Sequence, residues 1–235
     1  MKIKAIILLL IFFVGCTALN SDEKKVIYTW GFDIEVPASW KYKKLRGNDS
    51  FVGRIKSSGV DLYFDWSEMG YANPLVPTMT EYINEEWEWM PTPPYLKEGI
   101  FYTTGDVIGE RDNIMKKRGV TDTSLVKVER HQIPKRETLI ENGKYKVILT
   151  YKDTSQIVHV AIPENVSKHD FQVDTLGEYY RKIIRPKNGV EGMTGVYFQD
   201  LNSDFNFNLV GENLSIENQQ KAIEAFKSIK IKRSE

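Results

Sequence analysis

The chain has 235 residues with 32 basic and 32 acidic side chains and a formal net charge of zero, a balance that removes bulk electrostatic attraction as a reason to bind nucleic acid. Hydrophobic residues make up 41% and aromatics 12%, enough for a packed core and too many for a disordered chain. A single cysteine excludes an intrachain disulfide and a cysteine-based zinc cluster.

Lys2 and Lys4 precede an unbroken apolar run from Ala5 to Val14, followed by Gly15 and Cys16. That run is shorter than the roughly 20 residues needed to cross a bilayer. A basic start, a short apolar stretch and a small residue before the break describe an export signal. Phe13-Val14-Gly15-Cys16 resembles the lipobox of bacterial lipoproteins, with phenylalanine where leucine is usual. The resemblance implies that Cys16 becomes the lipid-bearing first residue of the mature chain. Residues 1–15 are then a signal peptide and 16–25 a polar tether. An ordinary cleaved signal with an incidental cysteine, or a retained membrane anchor, are the alternatives. The diacylglyceryl group of lipoproteins supplies the two chains that stable anchoring requires. Removal of residues 1–15 takes away Lys2 and Lys4, so no polybasic patch assists the anchor. Ser21-Asp22-Glu23 resembles the acidic surface-export signals that follow the cysteine in some Bacteroidetes lipoproteins.

Residues 26–235 read as one domain without a long linker or internal repeat. Phe32, Ile34 and Val36 alternate with Asp33 and Glu35 until Pro37, the pattern of a half-buried strand. Trp40, Tyr42 and Leu45 continue into a second strand. Phe51 to Lys56 and Val60 to Trp66 flank Ser57-Ser58-Gly59 as a hairpin. Asn142-Gly143 is the strongest turn signal, since both residues tolerate the positive φ of a tight hairpin. Tyr145 to Tyr151 and Gln156 to Ile162 follow as a strand pair. Val196 to Phe198 and Phe205 to Val210 make another around residues 201–204.

Three helices are expected. Thr78 and Glu81 have capping-box spacing, with Met79, Tyr82, Ile83, Trp87 and Met90 at helical period up to Pro91. Asp174 would cap a second helix with the stripe Leu176, Tyr179, Tyr180, Ile183 and Ile184. Ser215 would cap a third, with Ile216, Gln219, Ile223 and Phe226 on one face, running into a short strand at Ile229 and Ile231. Residues 96–141 are least legible; Asp106 to Lys117 read as a helix that Gly109 weakens.

Strands and helices without regular alternation define an α+β class, an antiparallel sheet with helices packed on one face. Phe32-x-Ile34-x-Val36-Pro37-x-x-Trp40 resembles the opening strand and turn of PsbP-like and DcrB-like proteins. Phe226-x-Ser228-Ile229-Lys230-Ile231 resembles their closing helix and strand. The likeness spans residues 31–66 and 195–232 and implies a compact module that binds partners or ligands and is not catalytic.

Chemistry-bearing patterns are sparse. His131, His159 and His169 show no metal-ligand spacing; His159 lies opposite Val158 and Val160 on a strand, and His169-Asp170 reads as a surface pair in a loop. Asp200-x-Asn202-x-Asp204-x-Asn206 begins like a calcium loop but has Phe205 and Gly211 where glycine and a bidentate glutamate belong. A polar hairpin turn accounts for it better, with a weak cation site at Asp200 and Asp204 as the alternative. Glu81, Glu85, Glu86 and Glu88 read as a solvated helix face, and Lys116, Lys117 and Arg118 as a solvated helix end. No nucleophile elbow or phosphate-cradling loop occurs. The sequence therefore offers no catalytic, cofactor or metal residue.

Trp87-Glu88-Trp89-Met90-Pro91-Thr92-Pro93-Pro94-Tyr95 is the most suggestive stretch. Trp87 falls on the buried stripe, whereas Trp89 is about 200° around the helix from it. Trp89 is then either covered by the proline-rich loop or part of a contact surface with Tyr95, since stacked sugars and protein hot spots both use flat aromatics. The expectation is a lipid-anchored extracytoplasmic protein, held to a membrane of the cell envelope through Cys16, that acts as a non-catalytic binding or assembly module on an envelope protein. The alternatives are a glycan- or small-ligand-binding lipoprotein using Trp89 and Tyr95, and a hydrolase.

Overall fold

The computed structural model describes residues 23–85, 100–103, 105–130, 135–151 and 154–232. In chain order the first elements are β1 (Lys24–Tyr28), β2 (Phe32–Pro37), β3 (Lys41–Lys44), β4 (Phe51–Ser57), β5 (Val60–Ser67) and α1 (Met79–Asn84). Next come β6 (Ile100–Thr103), α2 (Val107–Arg118), β7 (Lys127–Arg130), β8 (Lys135–Glu141), β9 (Lys144–Tyr151), β10 (Thr154–Val160) and α3 (Glu164–Ser167). The chain continues with β11 (His169–Leu176), β12 (Tyr179–Pro186), β13 (Met193–Asp200), β14 (Asn206–Glu212), α4 (Ile216–Lys227) and β15 (Lys230–Ile231). These elements form mostly antiparallel sheets with a few helices; the pairing of β6 with β7 is parallel. Contacts group the chain into two compact units, Val76–His169 and the flanking segments up to Leu75 and from Asp170.

The flanking unit is built on a seven-stranded sheet ordered β11-β12-β13-β14-β5-β4-β3. Alternation along β5 sends Val60, Leu62, Phe64 and Trp66 inward, and the cross-strand partners Ile55, Phe207, Leu209, Val196 and Phe198 lie on the same face. Phe32, Ile34 and Val36 of the small β1-β2-β15 sheet and Ala222, Ala225 and Phe226 of α4 complete this core. Gly53 is required there, because a Cβ at that position would stand 2.6 Å from the Phe64 ring.

The opposite sheet face carries Asn206, Asn208 and Tyr197, and the segment after β5 crosses it. Asn206 accepts from the Ala72 amide at 2.9 Å and donates to the Ala72 carbonyl at 3.2 Å, while Asn208 donates to the Asn73 carbonyl at 3.0 Å. These side-chain amides give the crossing segment the backbone partners that a neighbouring strand would otherwise supply.

The inserted unit holds the β10-β9-β8 sheet. Asn142 (φ 51°) and Gly143 (φ 71°) form the expected turn between β8 and β9. Val147 and Leu149 of β9 and Val160 of β10 pack with Tyr82 and Ile83 of α1. The expected capping box of α1 is present, with Thr78 Oγ1 accepting from Glu81 N at 3.1 Å and Glu81 accepting from Thr78 N at 2.7 Å. Glu81 is thus a capping group rather than part of a solvated face. The helix ends at Asn84, with Glu85 extended; Trp87 and Met90 of the expected stripe lie outside the described residues. No basic residue stands in its last turn, and the acidic sequence that follows opposes the helix dipole. Arg136 of β8 supplies the missing cation, donating to the carbonyls of Ile83 and Asn84 at 3.3 Å. In the poorly legible middle, α2 forms with Asp106 as its cap, and Lys116, Lys117 and Arg118 do lie in its exposed last turn, closed by left-handed Gly119.

Two expected helices differ from the structure. Residues 174–186 are not a helix but the β11–β12 hairpin, turned at Gly177 (φ 62°). Leu176, Tyr179, Tyr180, Ile183 and Ile184 satisfy a helical stripe, but Ile183 and Ile184 are both buried on opposite faces of one strand, and the aromatic and β-branched content favours the sheet. On α4, Phe226 is buried as expected, but Ile216 is 56% exposed and Ala222 and Ala225 are buried in its place; small side chains let the helix approach the sheet closely, so bulk alone did not mark its inner face. The molecule is accordingly more β-rich than the expected α+β balance.

Candidate functional site

A cleft of about 230 Å³ opens between the β11–β12 hairpin and α4. Asp170, Phe171 and Gln172 line it from β11, Ile183 and Arg185 from β12, and Ile223 and Lys227 from α4. The hairpin is tied by two carboxylate–guanidinium pairs four residues apart on each strand. Asp174 accepts from Arg181 at 2.8 and 2.7 Å, and Asp170 lies 3.4 Å from Arg185. Strand periodicity then places Asp170, Gln172 and Asp174 on one face together with Arg181, Ile183 and Arg185. The hydrogen bonds from Arg181 hold the Asp174 carboxyl below the usual carboxylate range and raise the guanidinium in return.

The third wall is fixed from both helix ends. Ser215 caps α4 by accepting from Asn218 N at 3.3 Å, and Gln219 donates to the Leu214 carbonyl at 2.9 Å. At the far end the Ser228 hydroxyl donates to the Ala225 carbonyl at 2.7 Å and accepts from Glu35 N of β2 at 2.9 Å. Lys227 stands in the last turn, where the helix dipole favours a cation. The cleft thus combines an apolar floor at Ile183 and Ile223 with two cations and one carboxylate at its rim. Arg185 is paired with Asp170 at 3.4 Å and Lys227 with Glu224 at 3.3 Å, so the cleft can hold an apolar group, and a negative charge on it would compete with those two carboxylates. Asp170 is the one acid lining it, so the cleft itself does not supply the carboxylate pair a glycosidase uses.

Cys16, Trp89, Tyr95, Trp87 and His131 lie outside the described residues. His159 is exposed on β10, as its alternation requires. His169 is buried at 3% exposure, its Nδ1 2.5 Å from the Asn165 carbonyl. It is therefore not part of a surface pair: α3 folds back and supplies a carbonyl to the ring. Residues 201–204 form the turn of the β13–β14 hairpin, with Asp200 accepting from Asn202 N at 2.7 Å. Because Gln199 pairs with Asn206, the adjacent Asp200 points to the opposite sheet face from Asn206. The calcium-like series cannot converge on one ion. Among the described residues no group of three or more His, Cys, Asp or Glu is placed to hold a metal.

Among the described residues Tyr28 and Trp30 are exposed aromatics that motif spacing does not mark. Tyr28 is 71% and Trp30 61% exposed. Trp30 meets Phe51 edge-on at 5.9 Å and Trp66 at 6.2 Å, and Lys232 lies 5.7 Å from the Tyr28 ring. Their signal was the alternation that continues from Ile27 through Thr29, which turns Tyr28 and Trp30 outward. The cleft left no such signal, because its walls come from three segments, one of them read as a helix.

No family model matches the chain, and no curated protein does. The solution structure of cyanobacterial PsbP (CyanoP) from Synechocystis sp. PCC 6803 aligns over 94% of this chain and 99% of that one, at 10% identity and a TM-score of 0.30. A shared fold does not follow from that score. Among the described residues no helix is long and apolar enough to cross a membrane.

Proposed function

We propose that the chain is a lipid-anchored extracytoplasmic protein whose folded body is a non-catalytic binding or assembly module acting on another protein of the cell envelope. The observation that carries this reading is the cleft between the outermost strand β11 and α4, where an apolar floor meets Arg185 and Lys227. Such a concave apolar surface with a few placed polar groups suits binding. The lipobox-like Phe13-Val14-Gly15-Cys16 supports the anchor at Cys16, and an anchored body finds membrane-bound partners at high effective concentration. The α+β, PsbP-like classification belongs to the same reading and rests on the apolar spacing at Phe32 to Trp40 and Phe226 to Ile231.

Crosslinking in intact cells followed by affinity purification tests the proposal. Recovery of one envelope protein in stoichiometric amount is the expected outcome; recovery of none overturns it. The second reading, glycan binding, draws on Trp30, whose indole is more than half exposed and has the flat surface on which a sugar stacks.

A further inference from the structure

The two ends of the seven-stranded sheet are built differently. β3 is four residues long and three of them are lysines, Lys41, Lys43 and Lys44, which is how sheet edges are protected against strand addition. β11, at the other end, is eight residues long and contains neither lysine nor proline. Among the described residues no strand pairs with its outer side. Val173 and Leu176 are 47% and 41% exposed. An edge of that length without lysine or proline, whose two acids Asp170 and Asp174 are paired with Arg185 and Arg181, is a template for another strand, and it borders the cleft.

The geometry points to β11 as a docking edge that takes an extended peptide segment of the partner protein as an eighth strand; this rests on the binding-module reading above. In a hairpin closed by the two-residue turn Gly177-Glu178, bonding to the partner strand alternates along the chain. Counted back from Leu176, Val173 and Thr175 are in the set whose amides and carbonyls face outward. Those groups would supply affinity without regard to sequence, while side chains on the cleft side would supply selectivity. Ile183 and Ile223 fit an apolar side chain. The rim holds Arg185 and Lys227, each in an exposed ion pair, with Asp170 at 3.4 Å and with Glu224 at 3.3 Å; exposed pairs are weak, so a segment with an acidic residue next to that apolar one can exchange into them.

The test is selection of random twelve-residue peptides displayed on phage against the full chain. Enriched peptides are then synthesised and titrated by fluorescence polarisation. The expected result is enrichment of alternating apolar and polar sequences with an acidic residue, whose binding falls at least tenfold with Val173→Pro, which removes an outward amide. Lys227→Glu, on an exposed helix end, should weaken the same peptides at least fivefold and covers the case in which the proline variant does not fold. Failure to enrich any peptide, or equal binding to folded Val173→Pro and to Lys227→Glu, overturns the inference. Light scattering that shows a dimer of the full chain dissociated by Val173→Pro also overturns it, by making a second copy the occupant. If the cellular crosslinks recover a partner but map away from residues 170–176 and 223–227, the binding-module reading stands and the docking edge falls; if no partner is recovered, the reading itself falls.

Discussion

Asp174 and Arg181 meet as a two-point pair across the β11–β12 hairpin, with Nε to Oδ1 at 2.8 Å and Nη2 to Oδ2 at 2.7 Å. Arg181 is 11% and Asp174 36% exposed, so solvent screens the pair only from the carboxylate side. Asp174→Asn should cost about 1 kcal/mol at neutral pH, the lower end for a charge-assisted bond because of that exposure. The folded carboxyl is held below its ordinary value, so the pair contributes fully above about pH 4 and loses its contribution as the pH falls through the lower folded value. Urea unfolding of the two proteins should differ at pH 7 and converge in strong acid; a constant difference at all pH values would refute the assignment.

Ser228 is the joint between α4 and β2, bonded to Ala225 within the helix and to Glu35 outside it. Ser228→Ala leaves the Glu35 amide without this acceptor and should lower stability by about 1 kcal/mol. Because α4 forms one wall of the cleft, hydrogen exchange should also rise at Ile223 and Lys227. Exchange unchanged at those residues would separate the joint from the cleft.

Asn206, 6% exposed, serves both backbone groups of Ala72. Asn206→Ala leaves a buried amide and carbonyl unserved, which costs about 1–3 kcal/mol. Thermal melts should show the loss. Limited proteolysis should find new cleavage between Glu68 and Leu75, the segment those bonds hold down.

Cys16→Ser should leave precursor that is never shortened and never gains the mass of an acyl group, read by mass spectrometry of membrane fractions. A variant with the wild-type mass shift would refute attachment at that sulfur.

Trp89→Ala separates the two binding readings. Undiminished retention on a glycan array together with loss of the crosslinked protein would assign Trp89 to the protein contact, and the reverse outcome would assign it to a glycan. Trp30→Ala, run in parallel, asks the same of the exposed indole near Phe51.

Hairpins were the legible part of this chain. Ser58-Gly59, Asn142-Gly143 and residues 201–204 each stand between alternating runs, and each turn formed where expected. The Thr78 and Ser215 caps were legible for the same reason, a local hydrogen bond encoded by local spacing. The β11–β12 hairpin was not, because its apolar positions fit both periods and nothing local reveals which neighbour will claim them; Val196 and Gly195, far along the chain, decide it by pairing with Ile183 and Ile184. The cleft was illegible in turn, since Ile223 and Arg185 meet only through the tertiary fold.

The centre of the large sheet is the zipper between β5 and β14, Trp66 against Phe207, and β2 is completed by Lys230 and Ile231. Sequence-distant pairing of this kind slows folding. A chain still emerging from the ribosome lacks the second half of both seams, so its hydrophobic strands stay open until β14 and β15 have followed. That delay leaves the polypeptide threadable until those partner strands have been made.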